Sequence, residues 1–258
     1  MGKIIAVANQ KGGVGKTTTS VNLACALHEA GCRVLLCDID PQGNATSSFG
    51  KDKKKLDTSV YDVLISGFSP LQATLTTKFG DLLPSNTELS GAGIRLVDMK
   101  NREYILKNAL EQVRCKYEFI IIDCPPSLEM LTLNGLCAAD SVLIPVQCEY
   151  FALEGLTDLM TTIRLTKRSF NPGLEIEGVL LTMFDGRTNL SYQVAEEVKK
   201  YFKDKLYSVA IPRNVRLSEA PSHGKPVLAY DGGSKGALAY KRLAREVMAK
   251  NDIQGGRR

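Results

Sequence analysis

The run Lys11-Gly12-Gly13-Val14-Gly15-Lys16-Thr17-Thr18 sets two lysines, three glycines and two hydroxyls between a short apolar stretch, Ile4–Ala8, and an apolar-periodic stretch that reads as a helix. Strand, glycine turn and helix N-terminus, in that order, hold a nucleotide's phosphates. Glycines let backbone N–H groups close in on the anion, and the helix dipole adds positive potential at the same place. Lys16 would neutralise the outer phosphates and the Thr17 hydroxyl would ligate Mg²⁺. The run departs from the usual P-loop at its first position, where Gln10 replaces glycine, and it carries an extra cation, Lys11.

Two further acidic sites have the right spacing to complete such a centre. Asp38-Ile39-Asp40-Pro41-Gln42 follows a second apolar run, and Pro41 forces a turn there. This pair reads either as a structural turn with Asp caps, or as a carboxylate that meets the γ-phosphate or its attacking water. Phe119-Ile120-Ile121-Ile122-Asp123 places an acid at the carboxyl end of a buried strand. Such an acid holds Mg²⁺, often through water.

These residues need a scaffold, and the apolar pattern supplies one. Strand-length runs at Ile4–Ala8, Val34–Cys37, Leu82–Pro84, Phe119–Ile122, Val142–Val146, Ile176–Thr182 and Ser208–Ile211 alternate with helical patterns. The helices are expected at Thr17–Ala30, Arg102–Cys115, Leu153–Ser169, Leu190–Tyr201 and Gly236–Lys250. Several runs are apolar throughout, as strands buried on both faces of a parallel sheet are. The expected fold is α/β: a doubly wound, mostly parallel sheet flanked by helices, with ligands at the strands' carboxyl ends. Segment 43–80 resists reading, and its Lys53-Lys54-Lys55 run is taken as a solvated loop.

Composition sets bounds. With 258 residues and 44% hydrophobic content the chain can bury a large core, and one domain over 1–258 is expected. No run reaches the roughly 18 apolar residues of a membrane helix. Lys11 and Lys16 stand where the apolar part of a signal peptide would run. Seven scattered cysteines without a CxxC pair read as small buried hydrophobes in a reducing compartment, with no metal site. Charge is uneven: residues 187–258 carry fifteen Lys/Arg and seven Asp/Glu, a net of +8, whereas residues 1–186 carry −3. A basic last quarter points to a polyanion-facing surface or to an ordinary solvated helix face.

Taken together, the loop, Asp38-Ile-Asp40-Pro-Gln-Gly-Asn, Ile122-Asp123-Cys-Pro-Pro-Ser, Pro145-Val-Gln-Cys-Glu-Tyr-Phe-Ala-Leu-Glu-Gly and Ile211-Pro-Arg-Asn-Val-Arg-Leu-Ser-Glu-Ala-Pro-Ser-His-Gly-Lys-Pro resemble the ParA/Soj family of chromosome- and plasmid-partitioning ATPases. The resemblance runs from Lys3 to about Met248 and is nearest to the short, Soj-like branch, which lacks the N-terminal DNA-binding extension of larger plasmid ParA proteins. It implies an ATP- and Mg²⁺-dependent hydrolase with a deviant Walker A loop. Lys11 is then the signature lysine that reaches the partner's phosphates in an ATP-bound homodimer, as an arginine finger does. Gly12 lies at the dimer face. Gly13, Val14, Gly15, Lys16, Thr17 and Thr18 cradle the nucleotide, Asp40 supports attack by water, Asp38 sits beside the Mg²⁺ region and Asp123 is the Walker B acid. Met183 and Pro212, with Arg213, flank the adenine.

Non-specific double-stranded DNA falls to Arg187 and Arg216, with Lys199, Lys225, Lys235 and Arg242 as further basic candidates. A ParB-type, centromere-bound protein is the implied partner, and the implied location is the nucleoid in the cytoplasm. The chief alternative is a MinD-like membrane-cycling ATPase. It requires a C-terminal amphipathic membrane helix, but the last helix here carries Leu238, Leu243, Val247 and Met248 without Phe or Trp, so no stable membrane association is expected. An iron protein bridging a cluster, a bacterial tyrosine kinase and a DNA-binding switch with negligible hydrolysis are weaker fits. His28 and His223 read as surface or capping residues.

Overall fold

The computed structural model describes residues 1–149 and 152–254, with residues 152–155 described by backbone alone. Seven strands form one sheet: β1 Lys3–Val7, β2 Val34–Asp38, β3 Leu75–Thr77, β4 Gly80–Leu83, β5 Phe119–Asp123, β6 Ser141–Gln147 and β7 Glu175–Thr182. Their order is β3-β4-β2-β5-β1-β6-β7, parallel throughout except for the antiparallel β3–β4 pair. Helices α1 Lys16–Glu29, α2 Asn44–Ser48, α3 Val60–Ile65, α4 Pro70–Ala73, α5 Ala92–Val97 and α6 Ile105–Glu111 lie in the first half. They are followed by α7 Met130–Ala138, α8 Ala152–Ser169, α9 Asn189–Phe202, α10 Val215–Glu219, α11 Val227–Tyr230 and α12 Lys235–Lys250.

The apolar runs are buried on both faces because successive side chains alternate between two cores. Ile4, Ala6, Leu35, Cys37, Ile120, Ile122, Val142 and Ile144 share one core with α3 and α5–α9. Ile5, Val7, Val34, Leu36, Phe119, Ile121 and Leu143 share the other with α1 and α12. Helix α12 turns Ala237, Tyr240, Leu243, Ala244 and Val247 inward, and the Tyr240 hydroxyl meets Thr19 Oγ1 of α1 at 3.2 Å. The registers place Val7, Asp123 and Asp38 side by side at the carboxyl ends of β1, β5 and β2. The glycine loop and two of the three acids therefore converge by topology.

Four expectations change. Ser208–Ile211 is not a strand. Tyr207 and Ile211 donate to Val179 O and Leu181 O of β7, but four residues on this segment span only two on β7, so no continuous ladder forms. Arg102–Cys115 is not one helix. Asn134 of α7 inserts at its start, accepting from Leu106 N and donating to Arg102 O, which separates the single turn Arg102–Tyr104 from α6; a second single turn, Arg114–Lys116, follows α6. Lys53 is only half-exposed, and its ammonium donates to the Gln42 carbonyl, whereas Lys54 and Lys55 are exposed. Segment 43–80 holds α2, α3, α4 and β3. Cys25, Cys32, Cys37, Cys124 and Cys137 are buried, Cys148 is half-buried and Cys115 is exposed; burial pushes the Cys25 and Cys137 thiols up to about 12. Tyr150 and Phe151 of the family motif, and residues 255–258, lie outside the described residues.

Candidate nucleotide site and its flanking surfaces

The loop between β1 and α1 is shaped by two left-handed glycines, Gly13 (φ 76°) and Gly15 (φ 89°). A Cβ on Gly13 would meet nothing within 4 Å among the described residues, so space is open beside the loop there. Gly15 caps α1 without a side chain, leaving the helix's first N–H groups free of any side-chain acceptor. Asn9 fixes the loop's entry by donating to Pro145 O at 2.7 Å and accepting from Lys11 N at 3.0 Å. Thr182 fixes its middle by donating to Val14 O at 2.8 Å.

Two lysines serve this loop differently. Lys16 is buried, and its ammonium donates to the Lys11 carbonyl at 2.9 Å. Burial lowers its pKa, opposed first by the charge of Asp123. Lys11 is one-third exposed and its ammonium pairs with Glu149 of the same chain. Lys11 thus points to Glu149, while Lys16 folds back on the loop's own backbone.

Asp123 is fully buried and accepts from Thr17 Oγ1 and Ser20 Oγ, each at 2.8 Å. Burial raises its pKa and the neighbouring Asp38 raises it further, while the two hydroxyls pull the other way. A hydroxyl and a carboxylate at a helix N-terminus, both hard oxygen donors, fit Mg²⁺. Asp38 faces elsewhere. Its Oδ2 accepts from Thr46 N (2.8 Å) and Thr46 Oγ1 (2.7 Å), and its Oδ1 accepts from Asp40 N at 3.2 Å. Asp40, 6% exposed, borders a cavity of about 470 Å³ with Pro41, Gln42, Pro126 and Glu129.

On the β7 side, Met183 takes a left-handed backbone (φ 51°), which is unusual for a non-glycine residue. Phe184 N donates to Ile211 O and Arg213 N donates to Phe184 O, so Met183, Pro212 and Arg213 are brought together at one edge of the loop. The basic candidates divide. Arg187 is 88% exposed and grips Asp185 through two nitrogens, at 2.9 and 2.7 Å; those bonds hold the Asp185 carboxyl well below its usual range. Arg216 pairs with Glu219 at 2.9 Å and Asp231 at 3.3 Å. Lys235 and Arg242 line one groove with Arg245, between 208–212 and α12. Lys225 lines a different cavity with Thr17 and Thr18, and Lys199 stands exposed on α9. His223 stacks on Tyr230 at 4.9 Å, and His28 is half-buried in the last turn of α1. Asn9, Ser20, Thr46, Ser85 and Thr182 escaped the sequence reading; a small polar residue in or next to a site-bearing element is the only signal they give.

Known proteins share this chain's sequence and fold. A family profile described as an AAA domain matches residues 2–176. The sporulation initiation inhibitor protein Soj of Bacillus subtilis is 59% identical over 96% of this chain and 99% of its own length. The chromosome partitioning protein ParA of Myxococcus xanthus is 51% identical over 100% of this chain and 92% of its own length. Among solved structures, a Mycobacterium smegmatis protein named cobyrinic acid a,c-diamide synthase, with bound ADP and magnesium, superposes with a TM-score of 0.85 at 40% identity, covering 99% of this chain and 98% of that one. The MinD protein of Pyrococcus horikoshii, complexed with Mg-ADP, is more distant, with a TM-score of 0.80 at 28% identity and 96% of each chain covered. End-to-end likeness to Soj and ParA, on a fold that gathers the glycine loop and its acids at one sheet edge, makes this chain a member of the Soj/ParA family of chromosome-partitioning ATPases.

Proposed function

We propose that the chain is an ATP-driven switch for DNA segregation. ATP and Mg²⁺ bind the monomer at Gly13–Thr18, with Met183, Pro212 and Arg213 around the base. Two monomers then enclose two nucleotides, and each Lys11 leaves Glu149 to reach its partner's phosphates. Thr17 and Asp123 would hold Mg²⁺, which would supply charge neutralisation on the transferring phosphate. Asp40 supports the attacking water. Pairing doubles the basic surface carrying Arg187 and Arg216, so the dimer binds duplex DNA through its phosphates, without regard to sequence. Hydrolysis, stimulated by a ParB-type partner, separates the dimer and releases the DNA. Helix α12 supports this reading over membrane cycling, because Ala237, Tyr240, Leu243, Ala244 and Val247 turn most of its apolar face into the core, with Leu238 left exposed.

The observation that carries the reading is Gly12. Its backbone is not left-handed, and a Cβ there would sit 4.0 Å from Pro126, an ordinary contact. Among the described residues neither the backbone conformation nor a contact demands a glycine there, whereas the close approach of a partner chain in the proposed dimer would. Gly12→Val is therefore expected to fold, to bind ATP within about threefold of the parent and to fail to dimerise. Equilibrium nucleotide binding and light scattering together check this. A Gly12→Val chain that dimerises normally with ATP contradicts it.

DNA binding tests the whole switch. Random-sequence duplex DNA is titrated with no nucleotide, with ADP, with ATP, and with ATP and Asp40→Ala. Binding is expected with ATP alone, prolonged by Asp40→Ala. Arg216→Glu is expected to weaken it at least tenfold and to flatten its salt dependence. Equal binding in every nucleotide state would overturn the switch.

A further inference from the structure

The Asp40 turn is held from the next strand by a hydroxyl outside the family motifs. Both backbone polar groups of Asp40 are engaged: its N–H by Asp38 Oδ1 at 3.2 Å and its carbonyl by Ser85 Oγ at 2.7 Å. Ser85 lies two residues beyond the end of β4, and β4 pairs in parallel with β2, which leads into Asp40. The Ser85 N–H donates to Thr46 Oγ1 at 2.9 Å, and that hydroxyl donates to Asp38 Oδ2 at 2.7 Å. Ser85, Thr46 and Asp38 are all fully buried, so the chain of bonds runs without solvent. The turn closes on itself as well, with Gln42 N donating to Asp40 Oδ1 at 2.9 Å and Gly43 N to Asp40 O at 2.9 Å.

The Gly43 N–H already satisfies the Asp40 carbonyl. The second donor is therefore not needed to avoid a buried unpaired oxygen. What it adds is a fixed point on a neighbouring strand, which sets where the turn, and the carboxylate on it, stands relative to the sheet. A carboxylate that orients water needs placement to within a few tenths of an ångström. We propose that Ser85, through the hydroxyl it donates to the Asp40 carbonyl, is a positioning residue that sets Asp40 for hydrolysis. This rests on the reading of Asp40 as the acid that supports the attacking water.

The test is single-turnover hydrolysis of radiolabelled ATP by the full chain, with Mg²⁺ and duplex DNA. It compares the parent, Ser85→Ala, Ser85→Cys, Asp40→Ala and the Asp40→Ala/Ser85→Ala double variant. Loss of one hydrogen bond is expected to lower the single-turnover rate constant, and kcat in a parallel steady-state assay, roughly three- to tenfold in Ser85→Ala, with the steady-state KM for ATP and ATP-driven dimer mass unchanged. Ser85→Cys, a weaker donor of similar size, is expected in between. In the Asp40→Ala background Ser85→Ala is expected to add nothing, since its effect passes through Asp40. The proposal is overturned if Ser85→Ala keeps the parent's kcat, or if it lowers the rate by the same factor with and without Asp40. If Asp40→Ala itself hydrolyses at the parent's rate, the role given to Asp40 fails and the role of Ser85 fails with it. That outcome is read from the Asp40→Ala chain alone.

Discussion

Mixing a Lys11→Ala chain with an Asp40→Ala chain is expected to restore ATP hydrolysis that neither chain has alone. Each site in the proposed dimer takes Lys16, Thr17, Asp123 and Asp40 from one chain and Lys11 from the other. In a mixed dimer, the site on the Lys11→Ala chain keeps its own Asp40 and receives an intact Lys11 from its partner. The other site has neither. At equal mixing half the dimers are mixed and each holds one complete site, so the rate should recover to roughly a quarter of the parent's. Separately, Lys11→Ala should lose at least 10²-fold in hydrolysis, as removal of a cation supplied in trans does. Its monomer should still bind ATP, because Lys11 lies on Glu149 while Lys16 serves the loop. Titrating one variant into the other and following released phosphate checks both points. No recovery at any ratio would place Lys11 in its own chain's site.

The second large effect is a trade between stability and activity at Asp123. This carboxyl is fully buried beside Asp38, and its pKa is raised, first by burial and then by that neighbour. An acid with a raised folded pKa is protonated in the folded state over a range where the unfolded chain is ionised. It therefore costs stability as pH climbs from the unfolded value near 4, and the full cost is present once pH passes the folded value. Asp123→Asn removes that cost and keeps an oxygen acceptor for one of the Thr17 and Ser20 hydroxyls, while its amide N–H donates to the other hydroxyl's oxygen. At about 2–4 °C for each kcal/mol regained, the nucleotide-free protein should melt on the order of 5 °C higher at pH 8, with a smaller gain at pH 5. The same change removes a charge that would hold Mg²⁺, so hydrolysis should fall at least 10²-fold. Scanning calorimetry at the two pH values, paired with a phosphate-release assay, measures both sides. A lower melting temperature at pH 8 would mean that the carboxylate stabilises the empty site.

How much of this was legible depended on the kind of signal. The strands under the site announce themselves because burial on both faces makes them apolar throughout, as in Ile4–Ala8 and Phe119–Ile122. The glycine loop is legible because its chemistry needs glycines at fixed places. Ser208–Ile211 misleads, because an apolar run cannot say that its pairing with β7 loses register between Tyr207 and Ile211. Arg102–Cys115 misleads because Asn134, about thirty residues away, breaks the helix with its side chain. The acids separate in the same way. Spacing makes Asp38 and Asp40 look equivalent, yet Asp38 is spent on Thr46 while Asp40 borders open space. Ser85 has no sequence signal beyond following Pro84, since its role comes from the parallel pairing of β4 with β2.

The central claim is that ATP converts a monomer into a DNA-binding dimer. The most direct measurement is the molar mass of the Asp40→Ala chain by light scattering, with ADP and with ATP, in the presence and absence of a short duplex. Expected is a monomer with ADP that leaves the duplex free, and with ATP a species of twice the chain mass that carries DNA. A monomer that binds DNA with ATP, or a dimer of equal stability with ADP, would contradict it.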